Sequence, residues 1–505
     1  MAKFYLTTAI DYSNGDPHLG HALEKVGADC IVRYRRLRGD AVHFVMGMDE
    51  HSQSVIAAAD AAGVPPAQWV DRMAGRFADY WRRLGCSNDD WIRTTEPRHR
   101  EAVIAFVEAI RARNPDDLFE GDYEGLYCTG CEEYKTGAQI EDGHCIEHPS
   151  LDLVPTHERN WFFRLSRYGE RLLALIRGGE FAVEPAIRRN EVLRLIESGL
   201  QDVSVSRQGV AWGIPFPGDP GQTVYVWFDA LINYITASGF PRDGYGRLWP
   251  ADLHVIGKGI TRFHCVIWPA MLLSAGIALP RRVWAHGYVQ WGGAKMSKTA
   301  GTVVTLDAAI ERHGADALRY FLLREIGFEA DGDFTWDRFD ERYTADLADG
   351  LGNLASRALA MVERYRGGTV PAGPATELDA AGLRAVQDYA RAMDGFDLRG
   401  GGDAAWALVT EANQYIVRTG PWTLAREGRE AELDGVLASL VRCLYQLAVL
   451  AAPFLPERAA VLWEALGQTG SPGDAGWERL TEPPVEKRRT ARPPVLFPKP
   501  ARIES

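Results

Sequence analysis

The apolar positions of this chain follow two periods, and the period changes where the fold should change. Residues 4–10, FYLTTAI, form a near-continuous apolar and β-branched run that predicts a buried strand. A turn at Ser13-Asn14-Gly15-Asp16-Pro17 follows. Leu19, Leu23, Val26, Cys30, Tyr34 and Leu37 then recur at spacings of three and four, which predicts a helix opening near residue 18. Residues 42–46 return to a strand pattern, so the first fifty residues read as strand–helix–strand and predict a parallel sheet. Helical patterning continues over 66–84 and 96–110. From about 117 to 223 the character changes to loops, clustered cysteines and a Trp-Phe-Phe run at 161–163, and the α/β pattern resumes with a strand entering a turn at 253–258. The expected architecture is therefore an α/β sheet split by an insertion. Beyond Asp340 the pattern is almost wholly helical, with amphipathic periods over 347–365, 383–393, 406–417 and 437–450. Gly367-Gly368 and Gly400-Gly401-Gly402 read as breaks between helices of an all-α bundle. Residues 485–505, richer in charge and proline, read as an irregular tail packing back along the body.

At 505 residues the chain is long enough for about three domains. Its 46% hydrophobic and 25% charged content is ordinary for a globular protein. A net charge of −12 argues against a broad basic coat for nucleic acid, although Arg33, Arg35, Arg36 and Arg38, and Arg188, Arg189 and Arg194, form local basic clusters. The apolar run at 444–455 is too short to span a bilayer and nothing at the N-terminus reads as a signal peptide, so no membrane contact and a cytoplasmic location are expected.

Seven cysteines are an odd set, unlike a disulfide framework. Three of them fall in the pattern Cys128-x2-Cys131 and Cys145-x2-His148, with thirteen residues between the pairs. Each pair can grip one edge of a tetrahedron, which predicts one structural Zn²⁺ with all four positions filled. The competing readings are free or redox-active thiols, or His144 as the imidazole ligand. A second site is suggested by His18-Leu19-Gly20-His21, which opens the first helix. A helix N-terminus offers unsatisfied N–H groups and partial positive charge to a polyphosphate, and histidines three apart share one face of its first turn. Lys295-Met296-Ser297-Lys298-Thr299 would add mobile cations to such a site. Taken alone, each motif is equally compatible with a solvated surface.

Together, in this order and separation, the two motifs resemble the signature pair of class I aminoacyl-tRNA synthetases. Longer stretches are similar to the methionyl-tRNA synthetase family: Thr7-Thr8-Ala9-Ile10-Asp11-Tyr12, Gly47-Met48-Asp49-Glu50-His51, Asn160-Trp161-Phe162-Phe163-Arg164-Leu165, residues 212–220, residues 225–234, Ile256-Gly257-Lys258, Phe263-His264 and Trp268-Pro269-Ala270-Met271. The resemblance runs from about residue 3 to the Leu496-Phe497-Pro498 tail.

This resemblance implies a Rossmann-like catalytic domain in two halves, 1–116 and 224–290, separated by a connective insertion, 117–223, with a zinc knuckle at about 125–150. A linking fold with the KMSKT loop (291–345), a helical anticodon-binding domain (346–484) and the tail (485–505) complete it. It implies a methionine pocket built from Ala9, Ile10, Tyr12, Trp227, Leu231, Tyr234, Ile260, Phe263 and His264, with Asp49 receiving the ammonium group. ATP, with Mg²⁺, would lie against His18, Gly20, His21, Gly257 and Lys258, with Lys295 and Lys298 closing over its phosphates. His18, His21, Lys295 and Lys298 would be the catalytic groups. Glu24, one turn past His21, reads equally as a nucleotide contact or a solvated residue. Two positions depart from the family pattern: Thr299 stands for the usual Ser and keeps its hydroxyl, and Gly259 stands where some relatives carry Asp. Asn353, Arg357 and Trp422 would read a CAU anticodon by base-edge hydrogen bonds and stacking. The implied function is ATP-dependent activation of L-methionine and its transfer to tRNA(Met), initiator and elongator; with no tRNA-binding or dimerisation module appended after the bundle, a monomer is expected. Another class I synthetase and a non-catalytic RNA-binding paralogue are the alternatives.

Overall fold

The computed structural model describes residues 2–131, 133–135, 137–146, 148–295, 304–491 and 495–499; the side chains of Lys295 and His148 lie outside the described set. Its central sheet begins with β1 (Lys3–Thr8), followed by helix α1 (Leu19–Leu37) and β2 (Ala41–Asp49). The further strands are β3 (Asp90–Arg93), β4 (Ala182–Glu184), β5 (Leu253–Gly257) and β6 (Arg282–His286), in the spatial order β4-β6-β5-β1-β2-β3. All of these pairings are parallel, and the short strand Asp11–Tyr12 continues beside Met48 and Asp49. The chain therefore winds outward from β1 in one direction and from β5 in the other. In open α/β sheets the crevice beyond the carboxyl ends of the strands at such a reversal is the place where ligands bind.

Helices at Pro66–Arg83 and Pro97–Arg113 follow the predicted periods, each with proline in its first turn. The inserted segment forms an antiparallel sheet dominated by the long hairpin of Leu118–Cys128 and Val154–Phe163, with a small three-stranded sheet that carries Cys145; Cys128 ends the long strand and Cys131 lies in the turn beyond it. One piece of that segment behaves differently from the sequence expectation. Ala182–Glu184 leaves the insertion and pairs with β6, making the outer strand of the central sheet.

The C-terminal region is a helical bundle built on Asn353–Arg366, Glu377–Asp394, Leu398–Thr419 and Glu430–Ala451. Gly367 and Gly368 end the first of these with φ of 57° and 79°, as the break reading required. Gly400, Gly401 and Gly402 do not break a helix; they lie in the first turns of Leu398–Thr419, with Asp397 capping the Gly400 N–H at 2.7 Å. The missing side chains permit close packing there, since a Cβ on Gly401 would sit 2.6 Å from the Met393 sulfur. Glu430–Ala451 is, among the described residues, the one helix long and apolar enough to cross a membrane, and 89% of its most apolar window is buried inside the bundle. The tail returns along the bundle: Lys487 N–H donates to the Val370 carbonyl and Thr490 N–H to that of Gly368, and Leu496 and Phe497 are buried.

Candidate active site

His18 is the N-cap of α1, in extended backbone geometry. Its Nδ1 accepts from the amides of Gly20 and His21 at 3.1 and 3.4 Å, while His21 Nδ1 accepts from the His18 amide at 3.2 Å. The two imidazoles cap the helix reciprocally and stack with centroids 3.8 Å apart. Because each Nδ1 is an acceptor, the proton of each neutral ring belongs on Nε2. Burial, and after it His18, Lys25 and His286, hold the His21 pKa well below the ordinary imidazole value. The pair is thus a fixed set of N–H donors at a helix N-terminus, suited to phosphate oxygens.

A cavity of about 220 Å³ opens at this point, over the carboxyl ends of β1, β2 and β5. It gathers most of the residues singled out from sequence: Ala9, Ile10, Tyr12, His18, Gly20, His21, Asp49, Trp227, Leu231, Tyr234, Gly257, Ile260 and His264 all line it. Phe263 does not; it stacks on Trp227 at 3.8 Å from behind, and Tyr12 meets Trp227 edge-on at 5.7 Å. The Tyr234 hydroxyl and His264 Nε2 are 2.6 Å apart, and His264 Nδ1 is 2.9 Å from the Ile260 carbonyl. The carbonyl can only accept, so the ring proton is on Nδ1 and the tyrosine donates to Nε2. Burial lowers His264 to about 4, keeping it neutral at physiological pH. The slot is therefore aromatic and uncharged at one end, with the buried carboxylate of Asp49 in its wall.

Lys258, between the lining residues Gly257 and Gly259, is not itself part of the cavity lining. Its ammonium pairs with Asp331 at 2.7 Å and lies 4.5 Å from the centroid of the Tyr288 ring. Lys298 lies outside the described residues, but the chain that carries it can be followed on both sides. Lys295 ends a hairpin strand paired with Gln290, and Thr305 forms an antiparallel bridge with His18 itself. The segment holding the second motif thus rejoins the fold directly against the first.

Asp11, His286 and Tyr288 also line the cavity although the sequence reading assigned them no role, and Glu24, which read equally as a nucleotide contact or a solvated residue, lines it as well. Lys25 Nζ sits between Asp11 and Glu24 at 2.8 and 2.7 Å and donates to the Ala9 carbonyl, while Glu24 meets His286 at 3.1 Å. Burial would raise Glu24, but Lys25 and His286 outweigh it and keep the carboxyl below its usual value. The available signal was an acid–base pair inside a helix stretch whose neighbours are all apolar or small. Gly259 also has a local reason: a Cβ there would lie 2.2 Å from the Tyr288 hydroxyl, so the phenol fills the space that a side chain would need.

In the bundle, Asn353 and Arg357 line an open groove with Trp406 and Asn413, and Asn353 donates to the Asn413 side-chain oxygen at 3.3 Å. Trp422 stands apart, 49% exposed at the start of helix Pro421–Glu427, and is not a core residue. The arginine cluster of α1 is neutralised within the fold: Arg33, Arg35, Arg36 and Arg38 pair with Asp29, Asp40, Asp89 and Asp394.

The Sγ atoms of Cys128, Cys131 and Cys145 lie within 4.8 Å of one another, and those of Cys131 and Cys145 are 3.6 Å apart. Metal–thiolate bonds of about 2.3 Å at a tetrahedral angle would set sulfurs about 3.8 Å apart. Three convergent thiols at that spacing fit a metal ion.

Residues 4–359 match the family model described as tRNA synthetases class I (M) in two segments, and 367–499 match that of the anticodon binding domain of methionyl tRNA ligase. The fold and the site thus define a class I aminoacyl-tRNA synthetase. The methionine–tRNA ligase of Streptomyces coelicolor is 39% identical over 99% of this chain and 97% of its own length. That of Mesorhizobium japonicum is 42% identical over 92% of this chain and 91% of its own. The structure of Mycobacterium tuberculosis methionyl-tRNA synthetase in complex with methionyl-adenylate superposes with a TM-score of 0.93 at 37% identity, covering 99% of this chain and all of that one. The chain belongs to the methionyl-tRNA synthetase family.

Proposed function

We infer that the chain activates L-methionine with ATP and transfers the methionyl group to tRNA(Met), initiator and elongator alike. The observation that carries this reading is the single cavity in which a histidine-capped helix N-terminus faces a neutral aromatic slot with Asp49 in its wall. Asp49 takes the substrate ammonium; Tyr12, Trp227, Leu231, Tyr234, Ile260 and His264 enclose the thioether, where sulfur–aromatic contact adds modest affinity. The methionine carboxylate oxygen attacks the α-phosphorus of ATP, supplied as its Mg²⁺ complex. The bond to the bridging oxygen breaks and pyrophosphate leaves. His18 and His21 donate from Nε2 to the charge that develops, and Lys258, Lys295 and Lys298 neutralise the departing phosphates. A hydroxyl of the terminal tRNA ribose then attacks the methionyl carbonyl and expels AMP. No side chain forms a bond to substrate, so the acceleration comes from orientation and charge.

Asn353, Arg357 and Trp422 read the anticodon, and Cys128, Cys131, Cys145 and His148 hold one structural Zn²⁺ that orders the knuckle. The protein acts as a monomer in the cytoplasm. Charging of purified initiator and elongator tRNA(Met) tests the reading: both should accept methionine, and a CAU-to-CAC anticodon change should abolish charging. Equal charging of the altered tRNA would overturn the anticodon assignment.

A further inference from the structure

A carboxylate that does not line the cavity ties its two walls together. Asp229 is fully buried in the helix Val226–Leu231. One of its oxygens lies 2.6 Å from His51 Nδ1 and the other 2.6 Å from His99 Nε2. His51 stands two residues beyond Asp49, at the end of β2, whereas Asp229 stands two residues beyond Trp227 and directly before Ala230 and Leu231. Trp212 braces the same corner: its Nε1–H donates to the Glu50 carbonyl at 2.6 Å and its ring meets His51 edge-on. On the far side, His99 also contacts the Thr236 hydroxyl at 3.1 Å and begins the helix Pro97–Arg113, which contributes nothing to the cavity lining.

We propose that Asp229 and His51 are positioning residues that set the width of the amino-acid slot by clasping the Asp49 wall to the Trp227 wall. The proposal rests on the methionine reading of the cavity. Hydrogen bonds to a buried ionised carboxylate are short and strong, and removing one partner leaves charge without water to solvate it. Burial alone would raise the Asp229 pKa, but the two histidines bring it to about 2, so the carboxylate stays ionised. With His51 gone, the wall that receives the ammonium is no longer registered against the wall that encloses the thioether. ATP, which lies against α1 and Gly257, does not depend on that registration.

The test is pyrophosphate exchange by the intact protein with methionine and with ethionine, which is one methylene longer. For His51→Gln the KM for methionine should rise about tenfold with the KM for ATP within about twofold, and the preference for methionine over ethionine should shrink about tenfold. His99→Gln, which cuts the link to a helix outside the cavity, should lower the melting temperature and leave the methionine KM within about twofold. Asp229→Asn, close to isosteric, should move the ethionine ratio in the same direction as His51→Gln. The proposal is overturned if His51→Gln leaves the ratio unchanged, if it raises the two KM values equally, or if His99→Gln reproduces its effect. Failure of the wild-type protein to show methionine-dependent exchange would instead defeat the functional reading beneath it.

Discussion

Arg319 meets Asp29 at 2.8 Å with both side chains fully buried. Asp29 belongs to α1, the helix that His18 caps. Arg319 also donates to the carbonyl of Leu84, at the end of Pro66–Arg83, and to those of Pro453 and Phe454, just beyond Glu430–Ala451. One guanidinium therefore caps two helix ends and joins the catalytic fold to the bundle, with favourable charge against both C-termini. Burial would raise Asp29, but Arg319 and Arg33 keep it below its usual value, so its stabilisation is present above the unfolded pKa and lost only as pH falls through the folded one. Arg319→Leu should cost about 3–5 kcal/mol, because buried Asp29 keeps only the part-exposed Arg33 as a cationic partner and the carbonyls of Leu84, Pro453 and Phe454 lose their donor. Urea unfolding at neutral pH checks this; a loss within the range of a surface substitution would contradict the hub.

His264 carries a pH signature. Its folded pKa of about 4 lies below the unfolded 6.5, so the unfolded chain binds more protons between those values and stability is lost as pH falls through that window. Between pH 8 and pH 5 this one residue should remove about 2 kcal/mol. In urea titrations, His264→Gln should unfold with a pH slope shallower by that amount. An unchanged slope would show that the ring is charged or solvated in the folded protein.

Cys145→Ser should lower bound zinc from one per chain to well below one, measured by atomic absorption, and reduce thermal stability of the knuckle. Methionine-dependent exchange should survive better than tRNA charging, because none of the three cysteines lines the cavity. Full zinc content in the variant would remove Cys145 from the ligand set.

Lys298→Ala and Trp422→Ala should separate the two half-reactions. The first should cut pyrophosphate exchange by about 10²–10³-fold while methionine binding by calorimetry stays near wild type. The second should spare exchange and weaken charging, as expected of an exposed ring that stacks on a base. Equal loss of exchange and charging in Trp422→Ala would refute an anticodon role.

The parts of the fold legible from sequence were those with local signals. The β1–turn–α1 unit announced itself through periodicity and the capping histidines, and the cysteine spacing through metal geometry. Ala182–Glu184 was not legible, because three residues carry no period and their partner strand lies a hundred positions away. The glycines at 400–402 misled because a break and a close helix contact call for the same residue, and only the position of Met393 separates them. The Glu24–Lys25 pair carried a local signal, a charged pair in an apolar helix stretch, but its partner His286 and the Asp229 clasp join positions far apart in sequence, which nothing local marks. The Arg33–Arg38 cluster read from sequence only as a local basic patch, because its acidic partners Asp89 and Asp394 lie far along the chain.

The most direct measurement is ATP–pyrophosphate exchange by the purified protein with each of the twenty amino acids in turn. Methionine alone should drive exchange well above background, since only an unbranched thioether fills an uncharged aromatic slot of this size. Exchange driven as well by another amino acid, or by none, would contradict the account.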